Sequence, residues 1–318
     1  MSSVSITGTT ALLRLGIGWW NVGLSPLGKP SERYAERVEI ASEVLRELIL
    51  AEGVDLLGLG EVTEDDLTKL VPPELLNGQF ELVVPRRQPH PQKRLSPAVL
   101  YNRAKIQLLE KKTRDTGRIG KFKLNSLDLT FAVEGLDEPL CVMVAHWPSR
   151  RERGGVEWRN TMAQNLGEAI RDLAREAERP PHVVVLGDFN DEPFDPSMAE
   201  YLEASRDRTL VRRQRFLLYN PFWRLLGERQ PLERECEGRI GAGTYYYRSG
   251  GANRWYTFDQ ILFSCCFLDP EGCSLQEKEV RIWQKPPLLG NEGRPVRGFD
   301  HFPVTAAVGA KLRTSIQE

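Results

Sequence analysis

The stretch VVVLGDFNDEP, from Val183 to Pro193, ends an apolar run on a glycine and then sets Asp188, Asn190, Asp191 and Glu192 within five residues. As a turn this is ordinary, because Gly, Asn and Asp favour turns. As chemistry it presents an acid that can take a proton and an amide that can hold that acid or a substrate. The pattern recurs along the chain. Asn21 follows GWW, Glu61 follows LLGLG and His146 follows LCVMVA. Asp259 lies inside TFDQILF, and Asp300 and His301 stand just before FPVTAAV. Unpaired charge is expensive inside a protein, so core strands seldom carry such residues by chance. Brought to one end of a sheet, these side chains would form a single acid-rich site.

The chemistry that suits the set is metal-assisted attack of water on a phosphodiester. Hard oxygen ligands such as Glu61 and Asp300 fit Mg²⁺ or Mn²⁺, which take one or two carboxylates and keep several waters. Asp188 is expected to accept the proton of the water, with Asn190 holding that carboxylate or the phosphate. His301, oriented and kept cationic by Asp259, is expected to donate to a non-bridging oxygen. His146 is placed to do the same or to protonate the leaving group. Arg150 follows His146 closely enough to reach a phosphate, and His182 and His90 carry no comparable context.

The elements that must position these residues alternate between strand and helix. LRLGIGWWNV, VDLLGL, LCVMVA and HVVVL read as buried strands, and FELVV, PAVLYN and LTFAV as a meander. Tyr34, Val38, Ala41, Leu45 and Leu48 recur at helical spacing and predict a helix over Ser31 to Ala51. Met162, Leu166, Ala169, Ile170, Leu173 and Ala177 predict a second long helix. Thr63 to Asp66 reads as a capping box. The segment around Arg206 to Arg215 reads as irregular, followed by the strands TYYYR, TFDQILF and PVTAAV. Mixed strands separated by helices predict an α/β architecture with two sheets face to face and helices outside. No repeat, low-complexity tract or long linker divides residues 1–318, so one domain is expected.

Composition narrows the class. The 318 residues are 41% hydrophobic and 27% charged, as in an ordinary globular chain. No apolar run approaches the length of a membrane span. No signal-peptide pattern opens the sequence, and five cysteines without CxxC spacing fit a reducing compartment, so a cytoplasmic location is expected. The net charge of −1 hides an asymmetry: twelve Lys or Arg but only Glu110 and Asp115 lie between Arg86 and Lys123. A basic surface on a neutral protein attracts a polyanion, and nucleic acid is the partner expected.

Six of these stretches together resemble the motifs of the endonuclease/exonuclease/phosphatase superfamily, the fold of DNase I, abasic-site endonucleases and neutral sphingomyelinases. WWNV is similar to its first motif, LLGLGEV to the metal-binding second, VAHWPSR to the third and LGDFN to the fourth. WYTFDQILFS and FDHFPVTAAV are similar to the fifth and last, and the six occur in family order. The resemblance implies a four-layer α/β sandwich, a divalent metal held by Glu61 and Asp300, and catalysis by His146, Asp188, Asn190, Asp259 and His301, with Asn21 and Arg150 on the substrate. Two departures stand out. Gly60 precedes Glu61 where many relatives have Gln, and of the tyrosines only Tyr101 is a candidate for the phosphate-side tyrosine of the abasic-site enzymes. Hydrolysis of nucleic-acid phosphodiesters, internally or from an end, is the function expected. A small phosphorylated or lipid head-group substrate is the alternative, and a catalytically idle binding module the third reading.

Overall fold

The computed structural model describes residues 12–25, 30–76, 78–84, 97–119, 122–227 and 241–311. His90 lies outside them. In chain order the elements are β1 (Leu12–Asn21), α1 (Tyr34–Arg46), β2 (Val54–Gly60), α2 (Glu64–Leu70), α3 (Pro73–Leu76), β3 (Phe80–Val83), β4 (Ala98–Asn102), β5 (Ile106–Ile119), β6 (Phe122–Val133) and β7 (Leu140–His146). Then follow α4 (Gly155–Glu176), β8 (His182–Asp188), β9 (Ala204–Ser205), α5 (Arg208–Arg213), β10 (Leu218–Tyr219), β11 (Tyr245–Tyr246), β12 (Trp255–Tyr256), β13 (Asp259–Ser264), β14 (Ser274–Leu275), β15 (Arg281–Ile282) and β16 (Val304–Lys311). One sheet runs β14-β16-β1-β2-β4-β3, with β15 also on β16, and the other β5-β6-β7-β8-β13-β10-β9. Both are mixed: β1 with β2 and β7 with β8 are parallel, whereas β16 with β1 and β13 with β8 are antiparallel.

Period-two alternation in β7 and β8 decides the layering. Val142, Val144, Val184 and Leu186 face a core shared with Ile17, Trp19 and Leu57 of the first sheet. Their neighbours Met143, Ala145, Val183 and Val185 face Met162, Ala163, Leu166 and Ile170 of α4. On the other side α1 buries Ala41, Val44 and Leu45. The result is the expected four-layer sandwich.

Local chemistry sets several boundaries. Thr63 Oγ1 accepts from Asp66 N at 3.2 Å and Asp66 Oδ2 from Thr63 N at 2.6 Å, the capping box that starts α2. The first predicted helix ends its α-helical part at Arg46 and continues as a wider turn over Glu47–Ala51. The Arg-rich segment is not irregular throughout. Asp207 accepts from Leu210 N at 3.0 Å and so caps α5. β5 is an addition to the expected strands. It is an edge strand, and its charged sequence KKTRD lacks the buried face that would mark it.

Register then collects the chemistry at one edge. Asn21 pairs with Gly60, His146 with Asp188, and Asp188 with Asp259. Trp19 pairs with Val304, which places His301 at the same end of the first sheet.

Candidate active site

Asp188 is at the centre. Its Oδ2 accepts from Asn21 Nδ2 at 3.0 Å and its Oδ1 from the backbone N–H of Asn190 at 2.9 Å. His146 Nε2 lies 3.6 Å and His301 Nε2 3.8 Å from Oδ2. The glycine before it is steric in origin, because a Cβ on Gly187 would lie 1.9 Å from Ala145 O. Sequence placed the Asn190 side chain on that carboxylate or on the phosphate; the contact with the carboxylate is made by its backbone N–H. Asn190 instead adopts φ 52° and turns its Nδ2 to Trp147 O at 3.0 Å.

Asp259 and His301 form the second part. His301 Nδ1 and Asp259 Oδ2 are 2.8 Å apart, and Trp19 Nε1 donates to Asp259 Oδ1 at 2.8 Å. Thr244 Oγ1 accepts from Asp259 N at 3.0 Å. Burial opposes a charge on His301, but Asp259 and Asp188 outweigh it and hold the imidazole pKa well above its ordinary value. The ring is therefore a cation at neutral pH, with Nε2 facing Asp188.

Glu61 and Asp300 flank the backbone at Gly23. A methyl group built on Gly23 would lie 3.8 Å from Glu61 Oε2 and 4.0 Å from Asp300 Oδ1. Glu61 also accepts from Asn21 Nδ2 at 3.3 Å and lies 3.9 Å from His146 Nε2. Burial pushes its carboxyl up, the two histidines oppose that, and Asp300 adds to it. Arg37 reaches this corner from α1, donating to Gly23 O at 2.7 Å. A divalent cation fits here: the donors are hard oxygens, and the buried Asn21 Oδ1 beside them has no hydrogen-bond partner. Asp188, Asp259 and His301 also bring ligand atoms within 4.8 Å of one another, a second group whose donors could hold a cation.

Other expectations resolve differently. Arg150 sits beside the site but is engaged: Nε donates to Asn190 O at 2.9 Å, and Nη2 pairs with Asp191 and Asp195. Its guanidinium also covers the Phe258 ring at 4.8 Å. Tyr101 lies in β4, packed on Phe131 at 5.2 Å, and does not reach the cluster. The aromatic neighbour of the site is Tyr245, whose ring centroid is 4.6 Å from that of His301. Its phenol is pushed up to about 12 by burial, with Asp300 adding to it. TYYYR read as a strand hid this role, since only contact with His301 distinguishes Tyr245 from its neighbours. Trp255 stacks on Phe302 at 6.2 Å, Trp147 meets Phe189 edge-on at 4.8 Å, and His182 meets Phe267 edge-on at 5.3 Å. All three pack. Gly60 is explained too, because a Cβ there would lie 2.9 Å from the Trp19 ring.

Two sheets in a sandwich, with four acids, an amide and two histidines converging at one edge, define a class of phosphoester hydrolases. The chain belongs to the endonuclease/exonuclease/phosphatase family, whose model matches residues 27–311. Comparison with curated proteins returns no match. Among solved structures, the human Nocturnin catalytic domain with bound sulfate is similar at 15% identity and TM-score 0.57, over 94% of this chain and 96% of that one. Zebrafish (D. rerio) TDP2 complexed with a single-strand DNA product is similar at 14% identity and TM-score 0.57, over 93% and 98%. A mannosyl-6-phosphatase of Bacteroides thetaiotaomicron is similar at 14% identity and TM-score 0.59, over 92% and 99%. At these identities the likeness is one of fold.

Proposed function

We propose that this chain is a Mg²⁺- or Mn²⁺-dependent phosphodiesterase that hydrolyses nucleic-acid phosphodiester bonds. The observation that carries the reading is the placement of Asp188, held by Asn21 and the Asn190 N–H, opposite His301 Nε2 at 3.8 Å. Asp188 takes the proton of the attacking water, and its two donors hold the carboxylate in place for that step. His301 donates to a non-bridging phosphoryl oxygen, and the charge growing there meets an imidazolium that Asp259 and Trp19 have already oriented. His146, within 4 Å of both Asp188 and Glu61, is the donor for the leaving oxygen. Glu61 and Asp300, with Asn21 Oδ1 beside them, would hold a divalent cation, which would supply charge neutralisation at the phosphoryl oxygens.

A polymeric substrate is supported by the basic hairpin. Leu127 of β6 pairs with Val144 of β7, and β6 begins at Phe122, so the hairpin backbone overruns β7 at its His146 end. Zebrafish TDP2 with its single-strand DNA product supports the same choice by analogy. The mannosyl-6-phosphatase supports a second reading, a small phosphorylated substrate. Incubation with end-labelled single- and double-stranded DNA and RNA, in Mg²⁺, Mn²⁺ or EDTA, separates the two. Cleavage that EDTA abolishes is expected, and Glu61→Gln should weaken Mn²⁺ binding by calorimetry more than it weakens oligonucleotide binding. Full activity in excess EDTA, or turnover of sugar phosphates alone, overturns the reading.

A further inference from the structure

Beyond the catalytic loop, Phe194 keeps 55% of its surface exposed although it lies six residues after Asp188. The loop that carries it is braced. Asp195 Oδ2 accepts from Glu192 N at 2.7 Å and pairs with Arg150, which also holds Asn190 O. Glu192 in turn accepts from Thr257 N at 3.0 Å. The phenyl ring is therefore held out in solvent by a fixed backbone. It does not stand alone. Its centroid is 6.3 Å from that of Trp223, tilted by 59°, and the exposed Arg206 covers the Trp223 ring at 4.6 Å. Trp223 Nε1 has no hydrogen-bond partner, so these ring contacts orient the indole. Arg212 and Arg213 stand exposed on α5, just beyond Arg206.

From these observations we infer that Phe194, Trp223 and Arg206 form a stacking platform for single-stranded nucleic acid flanking the scissile phosphate. The inference rests on the nucleic-acid reading above and adds a second contact surface to it. Aromatic faces interleaved with arginine bind unpaired bases and their phosphates without regard to sequence. Six residues of chain span at most roughly 22 Å, so a strand held at Asp188 and His301 reaches the platform within a few nucleotides. A duplex keeps its bases stacked internally and offers the rings nothing comparable, so the platform favours single strands.

The test is fluorescence anisotropy with labelled, hydrolysis-resistant phosphorothioate 12-mers of oligothymidylate and oligouridylate, the two arms separating DNA from RNA. Phe194→Ala is expected to weaken 12-mer binding by about tenfold, the loss one base–aromatic stack carries, and to leave the salt slope unchanged. Arg206→Ala is expected to lower the slope of log affinity against log salt by about 0.7. Both side chains are exposed, so neither change disturbs the core, and hydrolysis of bis-p-nitrophenyl phosphate should stay at the wild-type rate. Unchanged 12-mer affinity in Phe194→Ala, in a protein that still cleaves oligonucleotides, overturns the platform alone. A wild-type protein that hydrolyses the small diester but neither binds the 12-mers nor cleaves oligonucleotides overturns the platform and the nucleic-acid reading together.

Discussion

Trp19 connects the first strand to the acid that orients His301, and its ring occupies the space that Gly60 leaves open. That single contact explains why a chain with glycine before Glu61 still has an ordered site: one sheet's indole supplies a donor to the other sheet's carboxylate. Asp259 in turn sets the charge on His301. With the carboxylate present the imidazole pKa is raised, so the donor is lost only as pH climbs through that raised value. Asp259→Asn removes the charge and lets burial act unopposed by it, so the imidazole deprotonates at lower pH. The expected outcome is a kcat–pH profile whose alkaline limb moves to lower pH, with kcat down roughly 100-fold or more at pH 8. Trp19→Phe keeps the ring and loses the bond but leaves the Asp259 charge in place, so it should not reproduce the shift to lower pH. An alkaline limb that stays in place in Asp259→Asn would remove His301 from the proton-donor role.

At the scale of elements, α1 and α4 were legible because each buries one face at helical period, and β1, β2, β7 and β8 because strands buried on both faces read as short apolar runs, while strand ends at polar residues marked the site. β5 was not, since an edge strand with a charged sequence has no such face. Neither were Trp19, Thr244 and Tyr245, whose roles arise from pairing between segments far apart in sequence. The loop from Asp188 to Asp195 gives a measurable case. Buried Glu192 ties it to Thr257, two residues before Asp259, and burial raises its carboxyl to about 7. A folded-state pKa above the unfolded one means that the unfolded chain ionises first. Stability is then fully present below about 4.5 and is lost as pH rises toward 7. At about 1.36 kcal/mol per unit, the loss is roughly 3 kcal/mol. Glu192→Gln keeps an acceptor for Thr257 and cannot ionise. Its melting temperature relative to wild type should therefore rise between pH 5 and pH 8, and a constant difference would refute the assignment.

For the whole molecule, a net charge of −1 gives no long-range pull on a polyanion, so local fields must supply it. Much of the basic run seen in the sequence is already neutralised. Lys105 pairs with the buried Asp55 at 2.8 Å, Arg114 with Asp128 at 2.7 Å and Lys112 with Glu110 at 2.9 Å. Arg150, expected on the substrate, also braces the loop after Asp188 through Asn190 O and Asp195. The far part of the β5–β6 hairpin has a backbone that runs past His146 and a sequence that carries Arg118 and Lys123. If this hairpin guides a phosphate backbone into the cleft, Arg118→Glu with Lys123→Glu should lower kcat/KM on duplex DNA. It should also flatten its dependence on salt, each lost phosphate contact removing a slope of about 0.9. Hydrolysis of bis-p-nitrophenyl phosphate should be unchanged, because that diester meets only the cluster around Asp188. Lys105→Ala is the contrasting variant. It strips the partner from a buried carboxylate that also holds Gly16 N and Asn102 Nδ2, so it should lower the melting temperature and leave the salt slope alone. Equal salt slopes in wild type and the hairpin double variant would assign the basic run to the fold, and the search for the substrate would move to small phosphate esters.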